Sequence, residues 1–115
     1  MAFMLINDAL YAINDAGATT HRHDAIGTRI VQALPLGSRV IVLEDYYRFP
    51  RDLSNLYCLD SSLRSVWSVK RVTTTDAYVG PLEERDGNLR CGSWEGWSCT
   101  IDPATGNVLE QVFAK

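Results

Sequence analysis

The sequence predicts an all-β domain of about three antiparallel, propeller-like repeats, roughly 11 strands forming an incomplete propeller or barrel-like unit. Two observations predict it. A short apolar segment ending in Asn or Asp occurs three times, as Leu10–Asn14, Leu56–Asp60 and Ser98–Asp102, with the Asx residues spaced 46 and 42 apart. Strand-like runs separated by Gly- or Asx-bearing turns lie on both sides of these segments, so that the same order of strands recurs.

An Asx side chain at a strand end accepts bonds from the backbone amides that follow, and so starts a turn. The turns here are Asp15-Ala16-Gly17, Ser61-Ser62-Leu63 and Pro103-Ala104-Thr105-Gly106-Asn107. Strands resume at Ser65–Val69 and Val108–Phe113, and Ala18–His21 is the weaker equivalent after the first turn. Upstream, Phe3–Ile6, Val40–Leu43 and Leu89–Trp94 precede the three Asx strands. Ile30–Leu34 and Ala77–Leu82 open the second and third copies, through turns at Gly37-Ser38 and Asp86-Gly87-Asn88. Asp-Gly between two such runs is a strong hairpin signal. The first copy lacks its opening strand. The repeats then span about 1–24, 25–72 and 73–115 of one domain. Between Asp24 and Leu34 a helical spacing of Ile26, Ile30 and Leu34 competes, with Asp24 as a cap and Pro35 as a stop. Gly27 and Thr28 weaken a helix there, and the match to the third repeat favours a strand.

With 115 residues, 46% apolar and 22% charged, the chain has enough apolar side chains for one sizeable core. A net charge of -3 argues against a nucleic-acid partner, which usually meets a basic face, and suits a basic protein partner. The apolar run Met1–Ile6 stops at Asn7-Asp8, too short for a signal peptide or a membrane span. A tight turn centred on Glu95-Gly96 sets Trp94 opposite Trp97, Gly92 opposite Cys99 and Cys91 opposite Thr100. Cys91 and Cys99 then point to opposite faces, so that a disulfide between them is not expected. Together with Cys58 they read as reduced thiols of a cytoplasmic protein.

Leu56-Tyr57-Cys58-Leu59-Asp60 followed by Ser65-Val66-Trp67, and Ile101-Asp102-Pro103-Ala104-Thr105-Gly106-Asn107-Val108-Leu109, resemble blades of the quinoprotein-type (PQQ-like) β-propellers. With Gly92-Ser93-Trp94-Glu95-Gly96-Trp97 feeding Ile101-Asp102-Pro103, the whole is similar to short uncharacterised bacterial proteins built from such repeats. That resemblance implies no activity, and no residues here supply a quinone site, so no cofactor is expected. Closed propellers have about four to eight four-stranded blades. Three repeats must form an open arc, a barrel-like variant, or a half that pairs with a second copy.

Aligning the repeats exposes an insertion. Asp60 lies 20 residues after Val40, whereas Asp102 lies 13 after Leu89. The extra length falls in Glu44–Asp52, which carries Tyr46, Tyr47, Arg48, Phe49 and Arg51. Tyr and Arg dominate binding hot spots, because they join large contact area to directed polar groups. The plain alternative is that Tyr46 and Phe49 fold back onto the core. Trp94 and Trp97, as an opposed cross-strand pair, either cap the core or add contact surface. Trp67, alternating with serines, reads as packing between repeats. His21 and His23 share a strand face, yet no third ligand completes a metal set in sequence, and they read as a polar strand end. Asp60 and Asp102 read as turn formers. No nucleophile elbow, phosphate-cradling loop or partnered cysteine signature is present, and serines lack a nucleophile context.

Three functions fit. The first is a protein-binding module, in its most concrete form an immunity-type inhibitor that neutralises a toxin or effector. The second is a homodimeric structural or ligand-binding protein whose two copies complete a ring. The third is a small hydrolase with a dispersed site.

Overall fold

The computed structural model describes residues 2–71, 73 and 75–113. Among them there are eleven strands, no helix and no closed barrel. β1 (Ala2–Ile6), β2 (Ala9–Ile13) and β3 (Thr19–Asp24) form a three-stranded antiparallel meander. β4 (Ile30–Leu36), β5 (Arg39–Glu44), β6 (Leu56–Leu59) and β7 (Ser65–Ser68) form a four-stranded one. β8 (Glu83–Arg85), β9 (Asn88–Gly92), β10 (Trp97–Ile101) and β11 (Val108–Phe113) form another. No helix crosses Asp24–Leu34: the β3–β4 connection is irregular, and β4 runs on through Pro35.

The three Asx residues do equivalent work. Asn14 Oδ1 accepts the amides of Ala16 and Ala18, and Asp60 Oδ1 those of Ser62 and Arg64. Asp102 Oδ1 takes the Ala104 amide. A register shift precedes each, at Ala12/Ile13, Cys58/Leu59 and Thr100/Ile101. Each turn also places one residue at positive φ: Gly17, Leu63 and Gly106, at 81°, 59° and 79°. Leu63 tolerates that conformation because its side chain is buried in the core, whose burial outweighs the roughly 1 kcal/mol left-handed cost.

The β4–β7 sheet is the middle layer, and its strands show why. Val40 and Val42 of β5, with Tyr57 and Leu59 of β6, pack on one side against Leu10 and Ala12 of β2. The alternate residues Ile41, Leu43, Leu56 and Cys58 pack on the other side against Leu89, Cys91, Cys99 and Ile101. Period-2 alternation with both faces buried produces continuous apolar runs, which is what Val40–Leu43 and Leu56–Leu59 are.

Two expectations are corrected here. Ala77–Leu82 is not a strand, apart from an isolated bridge between Tyr78 and Ser93. The side-chain amides of Asn55, just before β6, and of Gln32 in β4 bond the backbone groups of Tyr78 and Leu82 instead. Asn55 Nδ2 donates to the Tyr78 carbonyl and Asn55 Oδ1 accepts the Tyr78 amide, while Gln32 does the same for Leu82. The β9–β10 register also differs by one residue, and Cys91 pairs directly with Cys99. Ser93 causes the shift. Its backbone amide donates to the Trp97 carbonyl and its Oγ accepts the Trp97 amide, which lengthens the turn to residues 94–96, with Gly96 at φ 100°. Cys91 and Cys99 therefore share a face, contrary to the expected alternation. All three cysteines are nonetheless free. Burial pushes Cys91 up to about 12, Cys58 to about 11, and Cys99 upward as well. Such thiols hold little of the thiolate that attacks in disulfide exchange.

Candidate functional site

The insertion between β5 and β6 is built on Glu44, the last residue of β5, whose side chain is buried. Its carboxylate accepts the amides of Ile26 (2.8 Å), Gly27 (3.0 Å) and Thr28 (3.1 Å), and the Tyr57 hydroxyl. One acceptor group thus folds the β3–β4 loop onto the start of the insertion. Thr28 Oγ1 donates to the Asp45 carbonyl and the Asp45 amide to the Arg29 carbonyl, which fastens the two loops into one unit.

The Tyr57 hydroxyl proton is committed to Glu44, so the same oxygen accepts from His23 Nε2 at 2.7 Å, and neutral His23 carries its proton on Nε2. Burial lowers the His23 pKa from 6.5, against weaker upward pulls from Glu44 and Asp24. A depressed value means that the folded state favours the neutral ring. Its contribution is fully present above the unfolded value and is lost as pH falls through the folded one. The melting temperature of the protein is therefore expected to fall more steeply below about pH 6.5 than that of His23→Gln, which keeps a donor for Tyr57 without titrating. Parallel melting curves down to acid pH would show that the ring does not contribute.

On this platform the structure gathers some of the predicted side chains and separates others. Tyr46 stacks on Trp94, centroids 5.4 Å apart and planes at 23°. Tyr47 is 64% exposed, with the Arg48 guanidinium 5.4 Å from its ring centre. Arg51 joins Tyr46 and Arg48 around a neighbouring hollow. Phe49 faces inward: it is 9% exposed and lies so close over Gly27 that a Cβ there would meet its ring at 2.6 Å. Phe49 packs the loop rather than presenting itself. The opposed tryptophan pair is also corrected. Trp94 sits in the turn, 60% exposed, whereas Trp97 packs edge-on against Phe113 of β11, centroids 5.5 Å apart.

The turn that carries Trp94 is firmly held. The Trp94 amide donates to the Ala77 carbonyl and the Glu95 amide to Asp76 Oδ1 at 3.0 Å. Thr73 and Thr75 hydroxyls donate to the Glu95 carboxylate at 3.1 and 2.7 Å. Between Tyr46, Tyr47, Arg48 and Trp94 lies an open cleft of about 200 Å³, which Thr75 and Ala77 also line. Sequence reasoning missed Glu44 and Asp76, because what each does depends on groups distant in the chain. Among the described residues no three His, Cys, Asp or Glu side chains gather as a metal site, and no helix is long and apolar enough to cross a membrane.

Comparison with curated proteins finds no match to the chain. A family model does match, over residues 21–113, which takes in the end of β3, both four-stranded sheets and every residue of the Tyr46–Trp94 platform. The chain belongs to the family described as domain of unknown function DUF7957.

Proposed function

We propose that the chain is a protein-binding module that docks a partner through Tyr46, Tyr47, Arg48, Arg51 and Trp94, and that it acts as a cytoplasmic immunity-type inhibitor of a toxin or effector. The observation that carries this is the exposed aromatic stack: Tyr46 on Trp94, with Tyr47 and Arg48 beside it, on loops fixed by partly buried hydrogen bonds. Large aromatics left in solvent on a rigid frame have no folding purpose, and Tyr, Trp and Arg are the residues that anchor interfaces. Although the chain carries a net charge of -3, the patch itself is cationic through Arg48 and Arg51. The partner surface that it fits is therefore acidic or aromatic rather than basic.

The test is growth rescue by co-expression with the product of a neighbouring toxin gene, together with a binding titration. In Tyr47→Ala/Arg48→Ala, affinity should drop about thirtyfold or more, roughly 2 kcal/mol, and rescue should fail. Stability should stay within about 0.5 kcal/mol, since both side chains are exposed. Full binding by the double variant removes this face from the proposal.

A second reading, a homodimer, is favoured by β1. Among the described residues the first sheet is one strand short of the others, β1 pairs only with β2, and Met4, Leu5 and Ile6 are 47%, 40% and 44% exposed along it. An open apolar edge is a template for another strand. A light-scattering mass of one chain would dismiss it.

A further inference from the structure

We propose that two copies of the chain join edge to edge through β1, pairing antiparallel about Met4 into one continuous sheet. This rests on the homodimer reading above, and names the strand, the register and the groups that form it.

β1 pairs with β2 without a break from Ala2–Ile13 to Ile6–Ala9, across the turn Asn7-Asp8, where both residues have positive φ. The pair flanking such a two-residue turn exchanges hydrogen bonds, and bonded pairs then alternate along the ladder. Ile6, Met4 and Ala2 therefore bond to β2. The N–H and C=O groups of Phe3 and Leu5 point the other way, to the open edge.

Each sheet has two edge strands, and the other five all carry a feature that deters a further strand. β3 has Arg22, Asp24 and a register shift, and β4 has Pro35 and a register shift. β7 is four residues long and shifted, and β8 is three residues long with Glu83, Glu84 and Arg85. β11 has Glu110 and a register shift. β1 has no charge, no proline and no shift, and Met4, Leu5 and Ile6 stay exposed along it.

The occupant that this edge fits is β1 of a second copy. Setting Phe3 opposite Leu5 of the second copy uses every outward backbone group of both strands. The two-fold axis repeats that pair, and each pair exchanges two hydrogen bonds. Met4 then meets Met4 of the second copy on the axis, and Ala2 meets Ile6. Every cross-strand pair is apolar, so no like charges oppose one another. Phe3 already packs against the cluster that holds Leu10 and Ala12, and Leu5 lies opposite Leu10 on the same face. The joined sheet thus continues an existing apolar face. Stacking the outer faces of the first and third sheets into a ring is less suited. The third sheet turns Arg90, Thr100 and Glu110 away from the cluster that holds Leu89, Cys91 and Cys99. A five-residue edge is a small interface, so the dimer belongs to the weak, concentration-dependent class.

Light scattering of the full chain up to millimolar concentration tests it, and the mass is expected to rise toward two chains. Met4→Lys and Met4→Glu each set like charges face to face on the axis. Both should stay folded, since Met4 is 47% exposed, and should associate at least about tenfold more weakly. An equal mixture of the two should recover the dimer, because Lys then faces Glu. Leu5→Pro removes an outward N–H that β2 does not use, so it should give a folded monomer. Undiminished association of Met4→Lys overturns the proposal while leaving the homodimer reading intact, because the copies then meet elsewhere. A mixture that stays monomeric overturns the Met4 register. A single-chain mass for the unmodified protein at millimolar concentration overturns both the proposal and that reading.

Discussion

Glu44→Ala is expected to cost about 3–5 kcal/mol, enough to leave a domain of ordinary stability marginal or unfolded. The substitution deletes one acceptor group and strands four donors at once: the amides of Ile26, Gly27 and Thr28, and the Tyr57 hydroxyl. Each donor that cannot reach water loses about 1–3 kcal/mol, although the Ile26–Thr28 loop will move outward and recover part of that. Once it moves, Phe49 loses the Gly27 backbone that it covers, and the platform under Tyr46 loosens. Glu44→Gln should fall between, since it keeps one oxygen acceptor but turns an NH₂ toward a donor. Urea unfolding measures both variants. A Glu44→Ala midpoint close to that of the unmodified protein would show that the loop is held by something other than this carboxylate.

The repeat architecture is legible in the sequence because its signals are local. An Asx side chain bonds amides two and four residues on, as Asn14 and Asp60 do, so the strand-end turns are written within five residues each. The double-faced burial of the middle sheet is legible too, as unbroken apolar runs in β5 and β6. The insertion showed itself only by length: eleven residues separate β5 from β6, against four between β9 and β10. Wherever a side chain replaces backbone pairing, the reading fails. Ala77–Leu82 has a strand-like composition, but Asn55 and Gln32, more than twenty residues away, take the amides and carbonyls of Tyr78 and Leu82. Ser93 moves a hairpin register by one residue through a single hydroxyl, and every cross-strand partner of Cys91 and Trp97 changes with it. Glu44 stood out in the sequence only as the first residue of the insertion, because nothing near it announces the three amides of residues 26–28. The aromatic half of the candidate site was therefore visible, and the Glu44 and Asp76 hydrogen bonds that hold it were not.

The junction between the two four-stranded sheets yields the other large effect. Trp67 of β7 is 9% exposed and lies flat against the third Asx turn: a Cβ added at Gly106 would meet its indole at 2.6 Å, and its Nε1 donates to the Pro103 carbonyl at 3.1 Å. The sequence reading of Trp67 as packing between repeats fits that placement. Trp67→Ala should cost about 3–5 kcal/mol, since it empties a large buried site and leaves the Pro103 carbonyl without its donor. Trp67→Phe separates the two contributions, because it keeps most of the apolar contact and loses only the hydrogen bond, typically about 1 kcal/mol. Gly106→Ala approaches the same contact from the other side. At φ 79° an alanine costs about 1 kcal/mol in backbone strain, and the clash with a rigid indole adds about 1–3 kcal/mol more. Gly17→Ala serves as the control, with the same positive φ at 81° and nothing within 4 Å of the new Cβ, so it should show the strain alone. Thermal unfolding of the two glycine variants side by side decides the matter. If Gly106→Ala is no worse than Gly17→Ala, Trp67 does not clamp that turn, and the sheets are held together by the apolar cluster between them alone.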